Sequence, residues 1–194
     1  MCFILSNFTY AYPGKLPSSA ISKMNIHIRT ETPADYPAVD HILKDAFGKD
    51  EEAILVENLR KHPDFIPALS LVAELDGQML GHILFSVITI EGVKHKPRSL
   101  ALAPVAVLPQ WQNKGIGRQL IEAGLATARQ LGFNSVVVLG HELYYPKFGF
   151  KPASLWRIVA PFPVPENNFM AMPLHPDGLD GVSGVVKYPE PFVI

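Results

Sequence analysis

The most constraining stretch of the chain runs from Ser99 to Gly140, where an apolar β-type run, a glycine-bearing turn, a long amphipathic segment and a second apolar run follow without a linker. Between Gly115 and Leu131, Ile116, Leu120, Ile121, Leu125, Ala128 and Leu131 recur at helical spacing, and Gly132 stands where a helix C-cap is wanted. The following SVVVLG is short, β-branched and almost unbroken in apolarity, which suits a buried strand of parallel type. Strand, crossover helix and strand therefore form one unit.

The flanking elements are equally local. Ile26 and Ile28 alternate with His27 and Arg29, as in a half-buried strand, and Thr32 with Pro33 supplies an N-cap and a first helical residue. That helix should reach about Phe47, where Gly48 and Lys49 break it; Asp50 can cap a second, EEAILVENLRKH, with Ile54, Leu55 and Leu59 on its apolar face and Pro63 beyond its end. SLVAEL and QMLGHILFSVITIEG meet at Asp76-Gly77, a strong hairpin signal. SLALAPVAVL is a further strand interrupted by Pro104, which has no amide hydrogen to donate and is tolerated at a bulge or an edge. The alternative is a strand that begins after Pro104. In the tail, FMAMPL and GVVKY read as closing strands.

Residues 1–23 have little periodicity and lack the basic start and long apolar stretch of a signal peptide, so they read as an N-terminal extension to one domain, 24–194. An arm packed on the domain is the other reading. With 194 residues, 48% apolar and 18% charged, the chain can fill one core. A net charge of -1 provides no global field for nucleic acid, and Lys94, Lys96 and Arg98 form only a short basic loop. No apolar run approaches the ~20 residues that span a bilayer. The single cysteine, Cys2, can form neither an internal disulfide nor a zinc cluster, which fits a cytoplasmic location, and no HExxH occurs. No metal, nucleic acid or membrane partner is expected.

An anionic ligand would have to be held locally, and VAVLPQWQNKGIGR offers a place. Helix N-termini expose unpaired amides with partial positive charge, and Gly115 and Gly117 leave the backbone open to a phosphate, with Lys114 and Arg118 beside them. A lone G-x-G is more often a plain helix start. A dinucleotide fingerprint fails because Leu120 stands at its third glycine, and a P-loop fails for want of Gly-Lys-Ser/Thr.

The turn spells Q-x-x-G-x-G from Gln112 to Gly117, and the strand SVVVLG leads into HELYYPKFGF with a Tyr-x-x-x-Gly-Phe ending. Together, over about Met24 to Pro152, these resemble the GNAT N-acetyltransferase superfamily, in a bacterial-type branch of uncharacterised acetyltransferases. The resemblance implies an α/β fold (α+β by some schemes): a mixed, mostly antiparallel sheet of about seven strands, with its fourth and fifth strands parallel, flanked by about four helices. It implies acetyl-CoA as co-substrate, its pyrophosphate cradled by Gln112, Asn113, Lys114, Gly115, Ile116, Gly117 and Arg118, and its pantetheine flanked by Val105, Ala106 and Val107. Tyr145, four residues before Gly149, takes the family position of the general acid that protonates the departing thiolate, with Tyr144 its rival. Outside that motif both tyrosines read as packing residues with polar tips. VLGHELYY departs from the family pattern, in which many relatives carry a cofactor-contacting asparagine several residues ahead of the tyrosine.

No general base is assigned among His141, Glu142, His82, Glu74 and Glu52. The implied activity is direct transfer of acetyl to a primary amine, without a covalent intermediate, since no cysteine is placed to carry one. A non-catalytic acyl-CoA module and transfer of another acyl group are the alternatives. In the family the acceptor is set by segments that correspond here to Asp45–Lys61 and Trp156–Phe169, where Asp45, Asp50, Glu51 and Glu52 would attract a cationic amine or merely form a solvated acidic helix start. A homodimer stays open.

Overall fold

The computed structural model describes residues 25–93 and 96–192. The expected extension, 1–23, lies outside the described residues, as does Lys94 of the basic loop. Strand β1 (His27–Thr30) leads through a 3-10 turn into α1 (Tyr36–Phe47), followed by α2 (Glu51–Lys61), β2 (Ser70–Leu75), β3 (Gln78–Glu91) and β4 (Arg98–Val107). Then come α3 (Ile116–Gln130), β5 (Ser135–Leu139), β6 (Lys151–Pro152), β7 (Ile158–Val159), β8 (Phe169–Pro173) and β9 (Gly184–Lys187).

Local chemistry explains the boundaries. Thr32 and Asp35 form a reciprocal capping box ahead of α1, and Gly48 closes that helix at φ 69°. Asp76 and Gly77 both adopt positive φ between β2 and β3, as a two-residue hairpin turn requires. The sheet has nine strands in the order β1-β2-β3-β4-β5-β8-β6, with β9 pairing the far end of β3 and β7 pairing β9. Its pairs are antiparallel except β4 with β5 and β7 with β9. The sheet is thus larger than the seven strands expected, because β6 and β7 are two-residue pieces too short to show periodicity. Among the described residues there are three α-helices rather than four. Between β5 and β6 the chain makes a 3-10 turn, Tyr145–Phe148, shaped by Pro146 and ended by Gly149 at φ 100°.

Side chains alternate along β3 to fill two cores. Leu84, Ile88 and Ile90 pack with α1 and α2, whereas Ile83, Phe85 and Val87 pack with α3. A Cβ at Gly124 would enter the Phe85 ring, so α3 lies at glycine distance from the sheet. Two helical residues expected inside are not: Ile54 is 46% exposed, a step round α2 from its buried Ala53, Leu55, Val56 and Leu59, and Leu131 is 47% exposed beyond the last turn of α3.

Pro104 lies within β4 at a bulge. Ile83 pairs with Val105 and Phe85 with Leu102, so Ala103 and Pro104 together oppose Leu84. The extra residue reverses the alternation beyond it, turning Val105 and Val107 toward the α3 side and Ala106 toward α1 and α2.

Candidate active site

The central feature is an opening in the sheet. β4 and β5 pair only through Leu100 with Val136 and Ala101 with Val137, after which β4 continues to Val107 and β5 to Leu139 without further pairing. One edge of the β4 end is occupied by β3, through Gly81 with Val107, His82 with Ala106 and Ile83 with Val105. The other edge faces the opening with backbone groups available to a ligand. Gly81 permits the tight β3 contact, since a Cβ there would stand 2.8 Å from the Ala106 carbonyl oxygen.

At the end of β4 the chain turns through Pro109–Trp111 into α3. The Gln112 side chain folds back, its Nε2 donating to the Val107 carbonyl at 3.1 Å, and ties the turn to the strand. Asn113 at φ 60° and Gly115 at φ 80° curl the backbone, and α3 begins at Ile116. Among the described residues, the amides of Asn113, Lys114, Gly115, Ile116, Gly117 and Arg118 donate to no acceptor within the fold, leaving six donors at the positive end of a 15-residue helix. Such a set of donors can hold an anion at one end of an open strand edge.

The side chains around it have distinct orientations. Ile116 is buried in the α3 core and offers the cradle only its amide. Lys114 reaches back, with Nζ 2.8 Å from the Gln110 carbonyl and over the Trp111 ring, while Arg118 pairs with Glu122 at 2.7 Å. The two tyrosines diverge. Tyr145, 3% exposed, lies against Gly140, just past β5, and meets Phe150 edge-on; burial pushes its phenol well above the ordinary value. Tyr144 is roughly perpendicular to Tyr145, and its hydroxyl stands 3.3 Å from where a Cβ on Gly117 would be. Asn168, which carried no recognisable signal in the sequence, pins Gly140 by donating from Nδ2 to its carbonyl at 2.9 Å and accepting its amide hydrogen.

The base candidates do not gather at this opening. His141 Nδ1 accepts the Leu143 amide in a local turn, Glu142 is exposed, and Glu74 pairs with Arg29. Asp45 lies 3.4 Å from His41, Asp50 pairs with Lys44, and Glu51 and Glu52 pair with Lys49; Asp45, Asp50 and Glu51 are surface groups, whereas Glu52 is buried. Among the described residues no group of three or more side chains could hold a metal, and no helix is long and apolar enough to cross a membrane.

His82 belongs instead to a buried network assembled from four distant segments. Arg60 forks onto Glu31 at 3.0 and 2.7 Å, His82 Nε2 lies 2.9 Å from Ser70 Oγ and 3.5 Å from Glu31, and Nδ1 has no partner. Burial opposes ionisation of Glu31, but hydrogen bonds from His82 and Arg60 outweigh it and hold the carboxyl down to about 2. For the fully buried His82, desolvation outweighs the pull of Glu31, and the neighbouring Arg60 adds repulsion, so the imidazole is held neutral below its ordinary 6.5. The unfolded chain therefore binds a proton that the native one refuses. Stability should fall as pH drops below 6.5, by at most ~1.4 kcal/mol per pH unit for one proton, with Glu31 and Asp35 adding to the loss below their ordinary carboxylate values. His82→Gln should flatten the upper part of that profile and spare the lower. Equal melting curves for the parent at pH 7 and 5 would contradict a neutral buried imidazole.

Comparison with known proteins finds the acetyltransferase (GNAT) family model matching residues 36–150. The uncharacterised N-acetyltransferase YhbS of Escherichia coli (strain K12) is 37% identical over 166 residues, 85% of this chain and 97% of that protein. YjhQ of the same organism, also an uncharacterised N-acetyltransferase, is 43% identical over 124 residues, covering 63% of this chain and 68% of its own. The crystal structure of E. coli YhbS in complex with CoA superposes with a TM-score of 0.82 at 34% identity, covering 88% of this chain and 93% of that one. A GNAT family acetyltransferase from Brucella melitensis in complex with acetyl-CoA gives 0.71 at 35% identity, covering 87% and 99%.

Proposed function

Since the chain belongs to the GNAT acetyltransferase family, we propose that it transfers the acetyl group of acetyl-CoA directly to a primary amine of a small-molecule acceptor. The observation that carries this reading is the junction of the unpaired β4 edge with six free amides at the start of α3. An extended thioester arm ending in a diphosphate matches that pairing of a strand edge with an anion cradle. The binding of CoA and acetyl-CoA by the E. coli and Brucella relatives supports the same cofactor here. In this reading Val105, Ala106 and Val107 flank the pantetheine, and the amides from Asn113 to Arg118 bind the diphosphate, the Gln112 amide being held by the Pro109 carbonyl.

The chemistry then follows from the residues at the opening. The acceptor arrives as a free amine, its nitrogen attacks the thioester carbonyl carbon, and the carbon–sulfur bond breaks with its electron pair on sulfur. Tyr145 donates its phenolic proton to that sulfur and regains one from solvent, while the amine nitrogen releases its proton to water. Burial keeps the phenol protonated at neutral pH, as an acid must be before it acts.

The test is thiol release from acetyl-CoA across polyamines, amino acids, aminoglycosides and peptides. Release above the hydrolysis background with any of these amines is expected. CoA binding without turnover on any amine would favour a non-catalytic acyl-CoA module, and turnover only with other acyl thioesters would move the donor.

A further inference from the structure

We propose that Tyr144 is a cofactor-positioning residue whose hydroxyl donates to a diphosphate oxygen held on the α3 amides. The inference rests on the acetyl-CoA reading above.

Several independent features place the phenol for this task. Its oxygen lies 3.3 Å from the Cβ position of Gly117, the second residue of α3, and Val107 at the end of β4 lies 3.8 Å from that same position. It therefore stands where the open strand edge meets the anion cradle. The ring is fixed there by edge-on contacts with Tyr145 and Phe148, at 5.3 and 5.4 Å between centroids, so little rotamer freedom remains to be lost on binding. Among the described residues the hydroxyl has no hydrogen-bond partner, although the side chain is half-buried. Burial raises the phenol above its ordinary value despite the nearby Arg118, so it remains a donor at neutral pH. Lys147, with Nζ 5.7 Å from the ring centroid, adds positive charge beside the ring.

Position also separates the two tyrosines by role. Tyr145 lies on Gly140, at the end of β5, whereas Tyr144 overlooks Gly117. A contact to the diphosphate, remote from the reacting carbonyl, stabilises ground state and transition state alike, so its removal weakens cofactor binding and leaves kcat nearly unchanged.

Calorimetry with CoA and with dephospho-CoA, which keeps the diphosphate and lacks the 3′-phosphate, tests the assignment on the parent, Tyr144→Phe and Tyr144→Leu. Tyr144→Phe keeps the ring contacts and should lose about tenfold in affinity for both ligands, as expected for a hydrogen bond to a charged group. Its melting temperature should match the parent. Unchanged affinity in Tyr144→Phe, with loss only in Tyr144→Leu, would reduce the residue to packing and overturn the proposal. Loss confined to CoA would overturn it in favour of a 3′-phosphate contact. A parent that binds neither ligand would sink the cofactor reading itself, and the tyrosine assignment with it.

Discussion

Gly117→Val should remove measurable CoA binding while leaving the protein folded. Gly117 is the second residue of α3 with negative φ, so a β-branched residue fits its backbone. The difficulty is what surrounds the new side chain. A Cβ would sit 3.3 Å from the Tyr144 hydroxyl and 3.8 Å from Val107, and two further methyl groups must enter the corridor between the β4 end and the cradle. A shift of the Tyr144 hydroxyl by a few tenths of an ångström relieves the contact and preserves the fold, but the amides then lie beneath a branched side chain. We expect affinity to fall by more than ~100-fold, about 2.8 kcal/mol at 1.4 kcal/mol per factor of ten. Calorimetry showing parental CoA affinity in a well-folded Gly117→Val protein would place the diphosphate elsewhere.

The second large effect concerns chemistry. Tyr145→Phe retains the ring that packs on Gly140 and meets Phe150, and removes only the hydroxyl. General acid catalysis contributes ~10²- to 10⁴-fold. The raised phenol makes proton transfer to a thiolate less favourable, and CoA thiolate is already a tolerable leaving group, so the lower end applies. With an acceptor found by thiol release, kcat should drop about 100-fold while the KM for acetyl-CoA barely moves. Tyr144→Phe should show the opposite pattern. A Tyr145→Phe enzyme within about threefold of the parent would take the acid role from this residue, since general acid catalysis contributes well above that.

Much of the architecture was legible because it depends on neighbours in sequence. The period of α3, the Thr32-Pro33 helix start, the Asp76-Gly77 turn and the glycine-bearing start of α3 are each settled within a few residues. The Q-x-x-G-x-G turn was readable for the same reason: the amides it leaves without a partner are consecutive. Pro104 announced an irregularity in β4, since a residue without an amide hydrogen cannot sit in a regular central ladder.

Tertiary structure alone decided which groups meet. Nothing local limits the β4/β5 pairing to Leu100 with Val136 and Ala101 with Val137; the opening follows from β4 staying with β3 while β5 stays with β8. Glu31, Arg60, Ser70 and His82 come from four elements or their flanks, and only the closed fold buries them as one network. Ile54 has the composition of a core residue, but the direction in which α2 presents its face leaves it outside. The clearest case is the tyrosine pair, where spacing to Gly149 identifies a position in a motif and packing on Gly140 or over Gly117 determines where each ring points. Backbone turns and helix periods are short-range consequences of dihedral and hydrogen-bond preferences, so the chain carries them in its letters. The side on which two adjacent phenols emerge depends on residues far away in sequence, and that information exists only once those residues are packed together.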